Sequence, residues 1–390
     1  MCRWSCAWAN AAADGVVVLS WPTRDGDRQR SASPALRGLD TTASTAAAPT
    51  RVAPAVTPRR REARHARAAD GFSRWDGVIG PWPAPRVVRV TALERFVACP
   101  MRWAFGARLG LEAEPDPTPE PSPLERGNAV HAALESFVRD AGTDFPTGAP
   151  RAELRRRLAA AARIAFPAIP DEPVAAAYAR LERARFLSGL EDDGPDGILA
   201  AWLDGEIDAP WPLRPAAVEV DTGPIPAGEA ALSGRIDRVD QIGGAWLVTD
   251  YKSGRAPDAR AVRRGLALQP IVYAEAVARR FGEPVVAAYQ ELRRPEHVRR
   301  RGWVGDPALV ATLAGRSAFV PADGAERTAI LAWAGDAVAR LGRGAFHWTL
   351  AEPDEAGCRA CPFRGACRID AARGLRVRTG GREAQRPRVG

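Results

Sequence analysis

The stretch Leu247-Val248-Thr249-Asp250-Tyr251-Lys252-Ser253-Gly254 contains the only lysine of a 390-residue chain in which arginine supplies every other one of the 55 basic side chains. Lysine is a compact point charge whose pKa shifts readily, whereas arginine is a planar fork that stays protonated. The apolar run before Asp250 predicts a buried strand, and residues two apart on a strand share one face. We therefore expect Asp250 and Lys252 to point into the same space; the alternative is an ordinary surface ion pair.

A second carboxylate is expected beside this pair. The run Gly234-Arg235-Ile236-Asp237-Arg238-Val239-Asp240 has strand character, and Ile242-Gly243-Gly244 is a hairpin turn signal before the next strand. Asp237 should then face the strand that ends at Lys252. Two carboxylates on adjacent strands suit a hard divalent cation such as Mg²⁺ or Mn²⁺, and Lys252 could orient a water or stabilise charge on a phosphate.

Two predicted helices offer further groups for this site. His131 lies in Arg126–Glu135 and could supply an imidazole ligand, although a histidine on a helix is more often an ordinary polar residue. Gln269 and Tyr273 are four residues apart and therefore share a helical face. That face could hold a phosphate or base, or it could be plain helix surface.

The pattern of periodicity predicts an α/β protein with a mixed central sheet flanked by helices. Helices are predicted over residues 92–105, 123–140, 151–165, 174–190 and 258–280, and strands over residues 217–221, 231–241, 245–251 and 284–291. The chain divides by composition into a short N-terminal piece (residues 1–30), a low-complexity linker (31–86), a globular domain (87–370) and a basic, disordered tail (371–390).

Charge and hydropathy limit the class of protein. The net charge of +8 fits a polyanionic partner, although part of the excess lies in the tail. The sequence contains neither an apolar run of membrane-spanning length nor a signal peptide. We expect a cytoplasmic protein without a membrane partner.

Four of the six cysteines form a second candidate site. Cys358-x2-Cys361-x5-Cys367 is a close-set triplet, and Cys99 is the remaining cysteine of the globular region. A Cys₄ set holds either zinc or an iron–sulfur cluster, and the one-plus-three division favours a cluster over paired zinc knuckles. Cys2 and Cys6 receive no role.

Together, four motifs in this order resemble the PD-(D/E)XK nucleases of the RecB and AddB type: Gly127-x3-His131, Gly234-x2-Asp237-Arg238, Asp250-Tyr251-Lys252-Ser253-Gly254 and Gln269-x3-Tyr273. The resemblance implies a restriction-endonuclease-like fold with a helical insertion and a C-terminal cysteine-rich segment packed against the N-terminal helix. It implies metal ligation by His131, Asp237 and Asp250, and catalysis by Lys252 with Gln269 and Tyr273 completing the site. It also implies a [4Fe–4S] cluster held by Cys99, Cys358, Cys361 and Cys367.

The function implied is that of a metal-dependent DNA nuclease, an exonuclease acting in double-strand-break repair. Residues 1–30 resemble the end of a helicase-like region, and the chain has no phosphate-binding loop, so ATP-driven unwinding is expected from a separate AddA-like subunit. DNA is expected to contact Arg235, Arg238, Arg255, Arg263 and Arg264. The alternatives are a free-standing single-strand exonuclease of the CRISPR-associated type and a catalytically silent, DNA-binding scaffold subunit.

Overall fold

A computed structural model gives the three-dimensional structure. It describes residues 24–25, 28–29, 72–83, 85–111, 120–192, 194–315, 319–321, 324–349 and 357–367. The predicted linker core (31–70), the predicted tail (371–390), Cys2, Cys6 and most of the predicted N-terminal piece lie outside these residues. The chain divides into two compact units, residues 1–60 and 61–390. In the first unit, strand β1 (Arg24–Asp25) pairs antiparallel with β2 (Arg28–Gln29).

A six-stranded mixed sheet forms the centre of the second unit. Its strands are β4 (Leu213–Asp221), β7 (Arg235–Ile242), β8 (Ala245–Lys252), β9 (Val285–Leu292), β10 (Val298–Gly305) and β11 (Phe319–Pro321). Their spatial order is β11-β10-β9-β8-β7-β4. The pairs β8/β9 and β10/β11 are parallel and the other three pairs are antiparallel. A smaller sheet has the order β3-β6-β5, formed by β3 (Val87–Arg89), β5 (Ile225–Ala227) and β6 (Ala230–Ser233).

Helices flank the central sheet. They are α1 (Val90–Ala98), α2 (Pro100–Trp103), α3 (Pro123–Ala141), α4 (Arg151–Ala165), α5 (Pro173–Leu187), α6 (Ile198–Ile207), α7 (Ala259–Arg263), α8 (Gln269–Phe281), α9 (Pro307–Ala314), α10 (Gly324–Gly342) and α11 (Arg364–Cys367). A π-helical turn (Ala104–Arg108) follows α2, and short 3₁₀ turns cover Arg74–Asp76, Gly142–Asp144, Pro295–His297 and Cys358–Ala360. None of the helices in the described part is long and apolar enough to cross a bilayer.

The parallel pairing of β8 with β9 requires a crossover connection, and this connection contains helices α7 and α8. The chain leaves β8, forms α7 and α8, and returns as β9, the crossover connection that parallel strands require. All eight residues of β9 are buried, as expected for a strand covered on both faces. One apolar core contains residues of α1, α8 and α10, and the other contains residues of α3, α4 and α6. The predicted fold class, a mixed sheet flanked by helices, is confirmed.

Element boundaries differ from the prediction where one residue interrupts a periodic pattern. The predicted helix over 258–280 is two helices, because Gly265 has a φ of +63° and any side chain there would overlap the Trp333 ring. The predicted strand over 231–241 divides at Gly234 into β6 and β7. The predicted helix over 92–105 breaks after Ala98, because Pro100 disfavours helical backbone at Cys99.

The boundary of the predicted linker at residue 86 is wrong. Part of that segment packs onto the loop that follows α10 through backbone hydrogen bonds: Ile79 donates to Gly344 at 3.0 Å, and Phe346 donates to Gly77 at 3.0 Å. A side chain at Gly77 would collide with the Phe346 carbonyl group. Residues 72–83 therefore belong to the folded domain.

The prediction that Arg238 contacts DNA is also wrong. Its side chain is 0% exposed, donates to Asp240 Oδ2 at 2.8 Å and to the Tyr251 hydroxyl at 2.9 Å, and is ion-paired with Glu206. Arg300 binds the other oxygen of Glu206 at 2.6 Å. The guanidinium thus pairs with two buried carboxylates and has no surface left for a phosphate.

This buried network generates a stability prediction. Arg238→Ala should lower the free energy of unfolding by about 3–5 kcal/mol, because it removes the Arg238 partner of buried Asp240 and one of the two arginine partners of Glu206. The control is Arg139→Ala, which removes an exposed pair with Glu135 and should change stability by about 0–1 kcal/mol. Urea denaturation measures both. A loss for Arg238→Ala as small as that of the control would contradict the structural role of the network.

Candidate active site and metal centre

Asp250 and Lys252 lie together at the end of β8, on the same face as predicted. The Lys252 ammonium is ion-paired with Asp250 Oδ2, and the Asp250 side chain is 4% exposed. Gln269, the first residue of α8, links them: its Nε2 donates to Asp250 Oδ1 at 2.9 Å and its Oε1 accepts from Lys252 Nζ at 3.1 Å. Both ends of the amide are used, which fixes its orientation and the positions of the two charges.

Tyr273 completes this side of the site. The Gln269 amide also donates to the Tyr273 hydroxyl at 3.0 Å, one helical turn along α8. The tyrosine ring lies against the backbone of Gly234, where a Cβ atom would come within 2.6 Å of a ring carbon. The glycine of the Gly234-x2-Asp237 motif is therefore explained by the close approach of Tyr273 to the strand.

His131 and Asp237 lie next to each other, and both contact the backbone of Tyr251. Helix α3 carries His131, whose Nδ1 lies 3.3 Å from Asp237 Oδ1 and whose Nε2 lies 3.0 Å from the Tyr251 carbonyl oxygen. The Tyr251 amide donates to Asp237 Oδ2 at 2.6 Å. The backbone of the residue between Asp250 and Lys252 thus orients both of the other predicted metal ligands.

Glu219 is a site residue that sequence reasoning missed. One ligand atom from each of His131, Glu219 and Asp237 lies within 4.8 Å of the others. Glu219 lies in β4 between the paired positions Val218↔Arg238 and Val220↔Ile236, opposite Asp237. Its φ of +52° is rare for a residue with a side chain and is of the kind that clusters at functional sites. The sequence signal that could have identified it is an acidic residue in the predicted strand 217–221, which pairs with the strand that carries Asp237.

The electrostatics of the site reflect crowded, partly desolvated carboxylates. Burial raises the pKa of Asp250 to about 6, opposed by Lys252 and reinforced by Asp237. Burial also raises the pKa of Glu219, as do the charges of Asp237 and Glu135. Burial alone would lower the pKa of His131, but the hydrogen bond and charge of Asp237 raise it overall. Like charges held this close disfavour ionisation, and a bound cation would relieve that repulsion.

An open cavity of about 430 Å³ gives access to the site from solvent. It reaches His131, Glu219 and Asp237, and the start of α3 forms one wall through Pro123, Leu124, Gly127 and Asn128. The ligand set fits a hard divalent cation, because two carboxylates and an imidazole meet at the base of a solvent-accessible cavity.

The remaining predicted DNA contacts have different surroundings. Arg235 is exposed and paired with Glu219 at 2.9 Å, and Arg255 is exposed. Arg263 is half-buried and donates to the Phe319 carbonyl, and Arg264 is half-buried. Contact of these four arginines with DNA stays a prediction.

The four predicted cluster cysteines line one small cavity, together with Arg102, Thr349 and Arg364. Cys99 is buried at the end of α1, and its sulfur accepts from the Arg102 amide at 3.5 Å. The rings of Phe105 and Phe363, which come from the same two parts of the chain, lie 5.3 Å apart. Burial raises the pKa of Cys99, and the nearby Cys358 and Cys361 add to that shift. The chain thus brings cysteines from both ends of the domain to one cavity, which Arg102 and Arg364 also line.

Comparison with known proteins agrees with this geometry. Residues 88–368 match the model of the PD-(D/E)XK nuclease superfamily. The chain is similar to one subunit of the ATP-dependent helicase/deoxyribonuclease of Symbiobacterium thermophilum, with 33% identity over 222 residues, covering 51% of this chain and 18% of that protein. It is similar to the subunit of the same name from Moorella thermoacetica, with 29% identity over 269 residues, covering 59% of this chain and 21% of that protein.

The chain spans about a fifth of the length of these curated relatives. The family match covers most of the chain and all of the residues that converge at the site, from Cys99 and His131 to Cys367. The chain therefore belongs to the PD-(D/E)XK nuclease superfamily.

Proposed function

We propose that this chain is a metal-dependent DNA nuclease of the AddB type that acts as an exonuclease in double-strand-break repair. The observation that carries the proposal is the convergence of His131, Asp237, Asp250 and Lys252 at one end of the β7–β8 hairpin. These groups come from a helix and two strands, and each predicted residue type is present. A catalytically silent scaffold would have no need to keep this set.

The proposed ligands of the cation are His131, Asp237 and Asp250. Glu219 is added to them because one of its carboxylate oxygens lies within 4.8 Å of ligand atoms of His131 and Asp237. A divalent ion bound there would activate a water and neutralise charge on the scissile phosphate. Lys252 supplies a positive charge next to the same carboxylates and stabilises the additional negative charge of the phosphate under attack. Gln269 holds Lys252 and Asp250 in register during this step.

The cysteine cavity is proposed to hold a [4Fe–4S] cluster. Its donors are four cysteines, the ligand set of such clusters, and Arg102 and Arg364 would offset the negative charge of four thiolates. Cys99 and the triplet are about 260 residues apart, so a shared cofactor closes a very long loop and contributes to folding.

DNA and a separate ATP-driven, AddA-like subunit are the proposed partners. The names of the two relatives place a helicase and a deoxyribonuclease in one protein, and the matched part of this chain corresponds to the nuclease family. A free-standing single-strand exonuclease of the CRISPR-associated type is the second candidate, because it resembles the same arrangement of motifs and cysteines. End-labelled single- and double-stranded DNA, with and without a motor subunit, distinguishes the two.

The first functional prediction concerns Lys252. Lys252→Ala and Asp250→Ala should abolish cleavage, and Lys252→Arg should reduce kcat by about a hundredfold or more, because the fork does not fit the place of a point charge. Arg139→Lys, an exchange of cations at an exposed pair, is the control and should cleave normally. Cleavage of end-labelled DNA with Mg²⁺ measures the rates. Near-normal cleavage by Lys252→Arg would refute this role for the ammonium.

The second prediction concerns Glu219. Glu219→Gln should weaken Mn²⁺ binding about tenfold or more, because it removes a charged oxygen from the cation site. Glu135→Gln is the matched control: Glu135 lines the same cavity, but it does not belong to the group of ligand atoms that His131, Glu219 and Asp237 form. Calorimetric titration of the chain with Mn²⁺, without DNA, measures both affinities. Equal affinities for the two variants would exclude Glu219 as a ligand.

The third prediction concerns the cysteines. Cys367→Ser should lose iron and acid-labile sulfide and should lower the Tm of the domain, whereas Cys6→Ser should change neither. Anaerobic purification followed by metal analysis and thermal unfolding provides the measurement. Protein that contains zinc and no iron would overturn the cluster assignment.

A further inference from the structure

Helix α8 begins without a cap of its own. Its N-cap residue Leu268 makes no side-chain cap hydrogen bond, and Pro270 has no backbone N–H to satisfy. Two of the donors at this end, the Leu268 and Gln269 amides, are instead satisfied by Glu94 of α1. Glu94 Oε1 accepts from the Leu268 amide at 2.6 Å and from the Gln269 amide at 3.0 Å.

The capped residue is the one that organises the catalytic charges. Gln269 is the first residue of α8, and its side chain bonds Asp250, Lys252 and Tyr273. The position of the Gln269 backbone determines whether its side-chain amide can reach all three of these partners. Glu94 fixes that position, from a helix about 170 residues earlier in the chain.

The Glu94 carboxyl group is removed from water, and hydrogen bonds and a nearby positive charge partly compensate for its burial. Burial raises its pKa to about 7, although the two backbone hydrogen bonds and the charge of Lys252 lower it. The positive end of the α8 dipole also favours a carboxylate at this place. An apolar side chain at position 94 could pack α1 against α8 without burying an acidic group. Helix packing therefore does not by itself account for the glutamate.

We propose that Glu94 is a positioning residue of the nuclease site, which holds the start of α8 and thereby places Gln269 against Asp250 and Lys252. This inference rests on the proposed function. Glu94 accepts hydrogen bonds from the backbone amides of Leu268 and Gln269, and beyond these bonds it interacts with Lys252 through its charge. Its loss should therefore change turnover more than substrate binding.

The test compares three variants of the full chain. Glu94→Ala removes the acceptor, whereas Glu94→Gln keeps an oxygen that can accept the same hydrogen bonds. Asp306→Ala is the matched control, because Asp306 caps the distant helix α9 by accepting from the Leu309 amide at 2.9 Å. Steady-state cleavage gives kcat and KM, and hydrogen exchange with mass spectrometry gives the protection of residues 268–269 without any need for activity.

For Glu94→Ala we expect kcat to fall about tenfold to a hundredfold with an unchanged KM, because a small displacement of a catalytic group has effects of this size. Exchange at residues 268–269 should rise about tenfold. Glu94→Gln should recover most of kcat, and Asp306→Ala should leave kcat and this exchange unchanged.

Several results would overturn the assignment: a Glu94→Ala variant with normal kcat, unchanged exchange at residues 268–269, or an equal loss of kcat in Asp306→Ala. Failure of the proposed function is recognised separately. In that case the wild-type chain does not cleave DNA, while the exchange measurement still reports whether Glu94 caps α8.

Discussion

The ion pair between Asp250 and Lys252 is the constraint around which the rest of the site is arranged. A carboxylate and an ammonium at the end of a buried strand are stable only if additional groups complete their hydrogen bonding. Gln269 does so with both ends of its amide, and the backbone of Tyr251 between them orients Asp237 and His131. On strand β8, the side chains of Asp250 and Lys252 thus form the ion pair, while the backbone of Tyr251 between them orients the other two predicted metal ligands.

The central sheet supports this arrangement from both faces. On one face, α8 supplies Gln269 and Tyr273; on the other, α3 supplies His131, and the buried Arg238 network anchors the Tyr251 hydroxyl. Helix α1 connects the two candidate sites, because Glu94 caps α8 and Cys99 ends the same helix at the cysteine cavity. Glu94, which positions Gln269, therefore lies in the same short helix that Cys99 of the cysteine cavity ends.

Sequence reasoning succeeded where the chemistry is local. The spacing of Asp250 and Lys252, the Gly243-Gly244 hairpin and the four-residue separation of Gln269 and Tyr273 each predict a geometry that the structure contains. The mixed sheet flanked by helices follows from the order of periodic segments. Breaks at Gly234 and Gly265 were not predictable, because they depend on rings from distant helices, Tyr273 and Trp333.

Residues whose roles depend on tertiary partners were missed or misread. Arg238 carries a charge beside the motif aspartate and resembled a DNA contact, but Glu206 and Asp240 surround it in the core. Glu219 and Glu94 belong to no motif in the sequence, and only the pairing of β4 with β7 and of α1 with α8 brings them to the site. Residues 72–83 carried a signal that was overlooked, because Phe72, Trp75 and Trp82 set this segment apart from the Ala-, Thr- and Pro-rich linker before it.

The most direct test of the account is a crystal structure of the chain soaked in Mn²⁺, examined by anomalous scattering. The account predicts an ion within about 2.1 Å of oxygen atoms of both Asp237 and Asp250, with the His131 imidazole also bound. An ion bound elsewhere, with the Asp250–Lys252 pair closed and His131 hydrogen-bonded to Asp237 as it is here, would contradict it.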